Sequence, residues 1–505
     1  MYILLIATIL SFALWTMFQE GTISAVLRTV FFVSMASWVV ATIMANGSVA
    51  ASFPAISIFF VAVAVFGFVI QNIATSTPAR VLVAVLAIGP LWYLHQHPHT
   101  EILPAIFHSS DLALDPDGEL IVKCSPGKVQ QVQQELLDLP FVISAAPWSV
   151  ADGMNTTLDD YLVVNTTGQS YKPYMLRALE QVTDVIWIEE NELWAIASTV
   201  SDATEEHTAA RSTNDPLIDR QYAFDLLDLG TYHDIIRSSG ISPQAPAKLF
   251  VLDSGVDFSH EDLVDAVASH ASIDQETNET DRQGHGTHCA GIAAATTHNG
   301  KGIASYNPGP SFVTLGSVAV INRLGFATQA SVAEGLIEAI DAGADVINMS
   351  FGGRSNQLQE ETYDDLMAYA AKHNVILVAA AGNSASDAAN YMPSGRDEVI
   401  TVSAINRYKE KAQFSNHVSN TSYGIAAPGV SILSTYKRGR YGALDGTSMA
   451  APQVAGLIAV LRAIDPSLTT EKAWQILSQT GTPTDNTAAT GPMIAPVAAL
   501  QAVMD

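Results

Sequence analysis

The stretch Tyr441–Gly456, YGALDGTSMAAPQVAG, decides the fold of this chain. Within it, Ser448 follows a glycine and a threonine and opens a run of small and apolar residues that continues to Leu461. A run that is apolar on nearly every face predicts a helix buried in a core. Ser448 would stand at the N-terminus of that helix, where free backbone N–H groups and the helix dipole stabilise negative charge. Taken alone, the stretch is equally consistent with a serine that merely caps a core helix.

Two stretches upstream supply the partners that a reactive serine needs. The apolar run Leu249–Leu252 predicts a buried strand, and Asp253 falls where that strand ends. His285 comes just before a helix of small residues. A serine hydroxyl is a weak nucleophile, so it needs a histidine as base and an aspartate that orients the imidazole. The order Asp253, His285, Ser448 is one of the known chain orders of such a triad.

A fourth side chain belongs to the same chemistry. The apolar run VILVAAAG, residues 375–382, predicts a strand that would deliver Asn383 to a turn. An asparagine amide in that position can donate a hydrogen bond to the oxyanion that forms when a carbonyl is attacked.

These motifs resemble those of the subtilisin-like serine proteases, especially the subgroup that includes thermitase and proteinase K. DSGVDFSHEDL, GHGTHCAGIAA, SFGG, AAAGN and GTSMAAP occur in the family's order between about Asn214 and the C-terminus. The resemblance implies an endopeptidase that hydrolyses peptide bonds through an acyl-enzyme. Its catalytic residues would be Asp253, His285 and Ser448, with Asn383 in the oxyanion hole.

The resemblance also implies a substrate-binding edge and one wall of the primary specificity pocket, formed by Ser350, Phe351, Gly352, Gly353, Ala380, Ala381 and Gly382. Phe351 replaces a more common leucine, so it should narrow or deepen an apolar subsite. Small residues at 380–382 indicate a roomy apolar pocket. Ordinary packing at strand ends is the alternative for both segments.

A structural Ca²⁺ site is implied by the resemblance as well. Its side-chain ligands would be Asp215, Asp262 and Asn299, and the backbone carbonyls of Thr296, Lys301 and Ile303 would complete it. Oxygen ligands from several segments suit the flexible coordination of this cation. The alternative is a set of surface carboxylates that binds no metal.

Residues 214–505 alternate apolar strands with helices, which favours an α/β fold with a mostly parallel sheet and helices on both faces. The predicted strands are Leu249–Leu252, Val313–Val318, Asp345–Ser350, Val375–Ala380 and Val399–Ala404, and the predicted helices are Gly286–Thr296, Ala330–Ala342, Tyr363–His373 and Ser448–Ile464.

Residues 1–100 are mostly apolar and carry only three charges, Glu20, Arg28 and Arg80, which predicts a membrane region. Four apolar runs, 2–18, 30–44, 53–73 and 81–94, predict four transmembrane helices, because a bilayer core takes about 20 apolar residues. A signal peptide is the alternative for the first run. By the positive-inside rule Arg28 and Arg80 lie in the cytoplasm, so this would be a multi-pass membrane protein with an extracytoplasmic catalytic domain.

Residues 111–198 have a β-α-β-β-α-β pattern, which indicates a small α+β, ferredoxin-like domain of the split βαβ type. Its place before the protease resembles that of the inhibitor-type propeptide of the family. Residues 199–213 are polar and lack apolar periodicity, which predicts an exposed linker and processing region. Cutting there would separate the catalytic domain from the membrane.

The two cysteines, Cys124 and Cys289, lie in different predicted domains, so we expect no disulfide. Cys289 follows His285 by one helical turn, but a cysteine nucleophile or a zinc cluster with His288 does not fit the surrounding motif. We expect both Cys289 and His288 to be structural.

Net charge is −26, which argues against nucleic acid as a partner. The expected partners are a polypeptide substrate, the chain's own propeptide and a lipid bilayer. Two functions remain open: a membrane-anchored serine endopeptidase, or a membrane sensor or scaffold that uses the protease domain to bind peptides. The intact catalytic set favours the first, because a binding module needs none of it.

Overall fold

The computed structural model describes residues 113–114, 120–148, 156–166, 178–195, 199–201, 213–272, 281–322, 325–355 and 359–504. The four apolar runs predicted as transmembrane helices lie outside these residues. The chain divides into two units. In the first, Met1–Pro116 with Thr167–Met175, the only described element is the short strand β1 (Ala113–Leu114). The second, Asp117–Thr166 with Leu176–Asp505, contains all the elements below.

A seven-stranded sheet forms the centre of the second unit. All its neighbouring strands are parallel, which confirms the predicted mostly parallel sheet. The strands, in spatial order, are β17 (Tyr423–Pro428), β16 (Val399–Ile405), β14 (Ile376–Ala380), β12 (Val346–Met349), β8 (Ala247–Asp253), β10 (Val313–Ala319) and β9 (Val267–Ser272). The five strands predicted from the sequence are all present in this sheet.

The two faces of the sheet belong to two separate hydrophobic clusters. In β8, Leu249 and Val251 join one cluster, whereas Phe250 and Leu252 join the other. Side chains alternate across a strand, so a strand buried on both faces is apolar at every position. The continuous apolar run of β8 therefore follows from its central place in the sheet.

Helices cover both faces. On the first face lie α4 (His285–Ala294) and α7 (Thr447–Ile464), and on the second lie α5 (Gln329–Asp341) and α6 (Gln359–Lys372). All four were predicted, although α6 begins four residues before the predicted Tyr363. The helices that the sequence did not reveal are α2 (Tyr222–Leu226), α3 (Leu229–Ser239), α8 (Thr470–Thr480), α9 (Thr487–Thr490) and α10 (Pro496–Met504).

Helix α7 has the length and hydropathy of a membrane span, and no other helix among the described residues has both. It is 94% buried inside the protein, so it is a core helix.

A second, four-stranded antiparallel sheet precedes the large one in the chain. It contains β2 (Leu120–Cys124), β3 (Val142–Pro147), β4 (Tyr161–Thr166) and β5 (Val185–Glu190), with helix α1 (Val129–Leu137) between β2 and β3. The spatial order β3-β4-β2-β5 is that of a split βαβ fold. The second predicted helix, Lys172–Gln181, lies mostly outside the described residues.

Other short strands form antiparallel pairs outside these two sheets. Strand β6 (Glu192–Ala195) pairs antiparallel with β11 (Phe326–Thr328), and β7 (Thr199–Ser201) pairs antiparallel with β19 (Arg440–Asp445). The linker predicted for residues 199–213 thus begins with a paired strand. Strand β19 also pairs with β18 (Ile432–Tyr436), and β13 (Gly353–Arg354) pairs with β15 (Tyr391–Met392).

Helices α4 and α7 cross closely because a glycine lies at their contact. A Cβ added to Gly456 would lie 2.5 Å from the carbonyl oxygen of Ala293 and 2.9 Å from its Cα. Both neighbours are helix backbone, which cannot move aside as a flexible side chain would. The glycine therefore sets the distance between the helix that begins with His285 and the helix that carries Ser448.

We expect Gly456→Val to lower the free energy of unfolding by at least about 1–3 kcal/mol, because overpacking of a core contact costs this much. The measurement is the denaturation midpoint. Gly442→Val is the matched control, since its nearest atoms lie 3.8 Å or more from an added Cβ. Equal midpoints for the two variants would show that the helix crossing is not constrained in this way.

Candidate active site

Asp253 and His285 form a buried pair at the ends of two elements. Asp253 is the last residue of β8 and is 0% exposed, and His285 is the first residue of α4 and is 4% exposed. Nδ1 of His285 lies 2.8 Å from Oδ1 and 3.0 Å from Oδ2 of Asp253. Because a carboxylate can only accept, Nδ1 carries the proton, and Nε2 is left with its lone pair. This is the tautomer in which Nε2 can act as a base.

The charge of Asp253 changes the pKa of His285. Burial alone lowers the pKa of His285, but the carboxylate of Asp253 and its hydrogen bond raise that pKa well above the ordinary value. The pair therefore stabilises the imidazolium that would form when His285 takes up a proton. Nε2 is buried and makes no hydrogen bond to any described residue.

Ser448 is the second residue of α7 and is 3% exposed. Its hydroxyl donates to the carbonyl oxygen of Ser350 at 2.8 Å, and not to His285. The hydroxyl of Ser350 in turn donates to the carbonyl of Ser448 at 3.0 Å. In this conformation the nucleophile is bound to the end of β12, so a rotation of its side chain must precede proton transfer to Nε2. Catalytic hydrogen bonds are often incomplete before substrate binds.

Asn383 lies just beyond β14, and its amide is oriented by Thr447. The amide oxygen accepts from the backbone N–H of Thr447 at 2.9 Å and from its hydroxyl at 2.8 Å. Nδ2 is therefore the donor end of the amide, next to the residue that precedes the nucleophile. The structure thus brings together all four predicted catalytic side chains.

Sequence reasoning missed Asp281, which holds the first turn of α4 in place. Its carboxylate accepts from the backbone N–H groups of Gly284 at 2.7 Å and Thr287 at 2.9 Å, and from the hydroxyls of Thr287 and Ser254. The hydroxyl of Ser254, the residue after Asp253, accepts from the N–H of Gly286. Asp281 therefore ties the end of β8 to the turn that presents His285. Asp281 lies five residues before the predicted helix Gly286–Thr296 and outside its N-cap position, so no capping signal in the sequence reveals it.

The other two candidates near the site are structural, as predicted. His288 Nε2 bonds to the carbonyl of Gly442 at 3.0 Å, and burial lowers the pKa of His288 to about 3. Burial raises the pKa of Cys289, so its thiol stays protonated, and Sγ donates to the carbonyl of Ser448 at 3.4 Å. Both cysteines are free. A protonated thiol is neither a nucleophile nor a good metal ligand.

The predicted substrate-binding residues lie beside Ser448. Ser350 contacts it directly, while Phe351 is buried in the cluster that also contains Met392. Gly352 packs on the carbonyl of Met392, and Gly353 pairs with Met392 in the β13–β15 ladder.

The predicted pocket wall at Ala380, Ala381 and Gly382 has neighbours that the sequence did not reveal. The α-carbon of Gly382 lies against the Asn416 amide and near the Tyr391 ring, which would be 2.5 and 3.6 Å from an added Cβ. The Asn416 amide also bonds to the carbonyl of Ala381 at 2.8 Å. Asn416 is fully buried, so it holds the backbone of the predicted wall in place.

The residues predicted to bind calcium form one network. Asp215 is 2% exposed and Asp262 is 1% exposed. Asn299 donates through Nδ2 to Asp262 at 2.9 Å and through its backbone N–H to Asp215 at 3.2 Å. Thr296 and Ile303 donate their N–H groups to Asp262, and Lys301 donates its N–H to the side-chain oxygen of Asn299. Burial raises the pKa of Asp262 despite these bonds.

Two substitutions of Asn383 test its assigned role. Asn383→Leu removes the amide, whereas Asn383→Asp keeps acceptors for Thr447 but replaces the donor with a negatively charged oxygen. We expect both to lower turnover by about 10²–10³-fold, which is the cost measured for the matching asparagine of subtilisin, with little change in KM. The exposed neighbour offers a control, Ser384→Ala, which should retain turnover. Full turnover in Asn383→Asp would exclude Nδ2 as an oxyanion donor.

Comparison with known proteins agrees with this geometry. The Subtilase family matches residues 246–493. A thermophilic serine proteinase of Bacillus sp. (strain AK1) is 39% identical over 215 residues, which are 42% of this chain and 51% of that protein. Thermitase of Thermoactinomyces vulgaris is 38% identical over 252 residues, which are 49% of this chain and 84% of thermitase.

A solved structure shows the same fold. Fervidolysin from Fervidobacterium pennivorans, a keratinolytic enzyme related to subtilisin, superposes with a TM-score of 0.59 at 23% identity. The superposition covers 76% of this chain and 61% of fervidolysin. On the evidence of the triad geometry and of its relatives, this chain belongs to the subtilase family of serine endopeptidases.

Proposed function

We propose that this chain is a membrane-anchored serine endopeptidase that is held inactive by its own N-terminal region and released by self-cleavage. The observation that carries the proposal is the buried Asp253–His285 pair beside Ser448 and Asn383. A protein that only bound peptides would have no use for a charged pair whose burial is costly.

The residues have the following roles in the reaction. Ser448 leaves the carbonyl of Ser350 and attacks the scissile carbonyl, while Nε2 of His285 takes its proton and later passes it to the leaving amine. Asp253 stabilises the imidazolium in between. Nδ2 of Asn383 and the backbone N–H of Ser448 donate to the oxyanion. Water then attacks the acyl-enzyme and gives a proton to Nε2 of His285, which passes it to Oγ of Ser448 as the ester bond breaks and the acid product leaves.

Residues 111–198 act as an inhibitory propeptide. Two groups on this segment bind the start of α5: the buried carboxylate of Glu189 accepts from the side chain of Gln329 at 2.9 Å, and Asn191 accepts from the N–H of Ala330 at 2.9 Å. Such bonds satisfy donors at a helix N-terminus that otherwise have no partner in the helix. They support a role of this segment as a partner of the catalytic domain.

A second contact joins the same segment to α6. Lys123 and Tyr161 both donate to Asp365, at 2.6 and 2.7 Å. The ring of Tyr161 stacks on Trp148 at a centroid distance of 4.7 Å and meets Trp187 edge-on at 5.6 Å. These aromatic residues belong to, or pack against, the cluster that covers the second face of the catalytic sheet. A polar anchor surrounded by aromatic side chains is typical of a specific interface.

The strand pairings support self-cleavage close to this segment. Strand β6 pairs with β11, and β7 pairs with β19, whose last residue precedes Ser448 by three positions. A peptide substrate binds a protease by adding a strand in the same manner. The chain thus pairs with the catalytic domain on two strand edges in the manner of a peptide substrate. The polar residues 199–213 remain the predicted processing region.

Membrane anchoring rests on the four apolar runs of residues 1–100 and on their low charge. The catalytic domain would lie outside the cytoplasm, since Arg28 and Arg80 favour the cytoplasmic side. A membrane sensor or scaffold is the second candidate function, because four spans are more than an anchor requires.

A structural Ca²⁺ ion fits the network around Asp215, Asp262 and Asn299. The fit rests on two buried carboxylates that share one asparagine. The carbonyls of Thr296, Lys301 and Ile303 would complete the ligand set. When bound, the ion would supply positive charge that holds the first residues of the catalytic domain against the 296–303 loop.

Labelling with a fluorophosphonate probe tests the proposal. Membranes and medium from cells that express the full chain or its Ser448→Ala variant are compared on a gel, with calcium present. We expect a Ser448-dependent band near the size of residues 214–505, because the reactive serine and the cut depend on the same hydroxyl.

The other outcomes discriminate between the candidates. A labelled band only at full length would mean an active nucleophile without processing. If folded protein is not labelled at all, even after an added protease has cut within residues 199–213, the scaffold function is favoured over the endopeptidase.

A further inference from the structure

Strand β19 leads from the calcium network to the nucleophile. It begins at Arg440, ends at Asp445, and is followed after Gly446 by the helix that carries Ser448. We propose that Tyr441 is a positioning residue that couples occupancy of the calcium site to the order of β19. The coupling would thereby reach the edge of β19 on which β7 pairs. The inference rests on the calcium site of the proposed function, and it assigns to that site an effect on the order of β19.

Tyr441 makes the contact between strand and site. Its hydroxyl lies 3.2 Å from Oδ2 of Asp262 and 3.2 Å from Oε1 of Glu261. A hydroxyl has one proton, so the two carboxylates share a single donor. The charge and position of Asp262 therefore determine the strength of the hydrogen bond that holds the Tyr441 side chain.

A glycine makes room for this hydroxyl in the loop that the ion would bind. Gly302 has a φ of +27°, and an added Cβ would lie 2.0 Å from the Tyr441 hydroxyl and 2.3 Å from Oδ2 of Asp262. The tyrosine thus reaches into the 296–303 loop between two predicted ligands, Lys301 and Ile303. Because Gly302 packs directly against the Tyr441 hydroxyl, a movement of the 296–303 loop would also move Tyr441.

The residues on either side of Tyr441 are anchored as well. His260 Nδ1 accepts from the N–H of Asp262 at 3.2 Å, so Nε2 carries the proton and donates to the carbonyl of Arg440 at 2.9 Å. The rings of His260 and Tyr441 are nearly perpendicular, with their centroids 4.9 Å apart. Residues 440 and 441 are therefore bound to the segment that contains Asp262 by both backbone and side chain.

The C-terminal half of β19 would transmit the effect of calcium to the paired strand β7. Residues 443–445 pair with Ser201, Val200 and Thr199 of β7. An ion that fixes Asp262 would order Tyr441 and this strand edge. By linkage, a chain paired on the same edge must strengthen ion binding by the same factor.

The titration state of Tyr441 does not interfere. Burial raises its pKa, and the charges of Asp262 and Glu261 raise it further, so the hydroxyl remains a donor at any working pH. The other groups that face it are the ring of His260 and the backbone of Gly302.

The test uses the full chain in detergent with Ser448→Ala, so that self-digestion cannot intervene. The melting temperature is measured against free Ca²⁺, and amide hydrogen exchange in residues 440–445 is measured with Ca²⁺ and with a chelator. Tyr441→Phe removes only the hydroxyl. Tyr369→Phe is the matched control, because its hydroxyl also donates to a carboxylate, that of Asp341, away from the site.

We expect Tyr441→Phe to need about 10-fold more Ca²⁺ for half-maximal stabilisation, as is usual when a residue that supports a metal ligand is lost. We also expect calcium to protect residues 440–445 in the parent and in Tyr369→Phe but much less in Tyr441→Phe.

Calcium-dependent stabilisation with the same midpoint and the same protection in both tyrosine variants would overturn the coupling while leaving the calcium site intact. If calcium does not stabilise the parent chain, the calcium site itself is wrong and the coupling falls with it.

Discussion

The hydrogen bond from His285 to Asp253 is the interaction on which the rest of the active site depends. Its partners come from the end of the central strand and the start of a buried helix, so it exists only if the sheet and helix α4 are in register. Asp281 holds this register through the hydroxyl of Ser254 and the backbone of Gly284 and Thr287. A buried charge pair is stable only with such added hydrogen bonds.

Two strand edges of the catalytic domain are occupied by residues from the preceding part of the chain. Strand β6 lies on β11 and β7 lies on β19. Because strand addition satisfies backbone groups regardless of side chains, this mode of binding suits both an inhibitory segment and a peptide substrate. In the proposed function the enzyme becomes available to other substrates only after its own chain leaves these edges. The bond from Ser448 to Ser350 fits a nucleophile that is not yet engaged with its base.

Local patterns predicted most of the catalytic fold. The five strands were visible because burial on both faces makes their sequences apolar throughout. The four helices were visible from runs of small and apolar residues or from apolar residues at helical spacing. Asp253, His285, Asn383 and Ser448 were identifiable because each stands at the end of such an element. The motifs, however, belong to a known family, and the metal ligands were inferred from that resemblance rather than from spacing.

Other features could not be predicted from sequence patterns. Strands β18 and β19 are half polar, and β6, β7 and β11 are only three or four residues long. Their pairing depends on distant partners, which local propensity does not report. The contacts of Tyr441 and Asn416 depend in the same way on long-range packing. The bond from Ser448 to Ser350 is a side-chain conformation and leaves no trace in the sequence.

The most direct test of the account is the pKa of His285, measured by NMR on the full chain with ¹⁵N-labelled histidine and Ser448→Ala. The account predicts titration clearly above 6.5, the ordinary value for histidine, with the proton retained on Nδ1. Asp253→Asn should lower this pKa, because a neutral amide cannot stabilise the imidazolium. A value at or below 6.5 that does not change in Asp253→Asn would contradict the account.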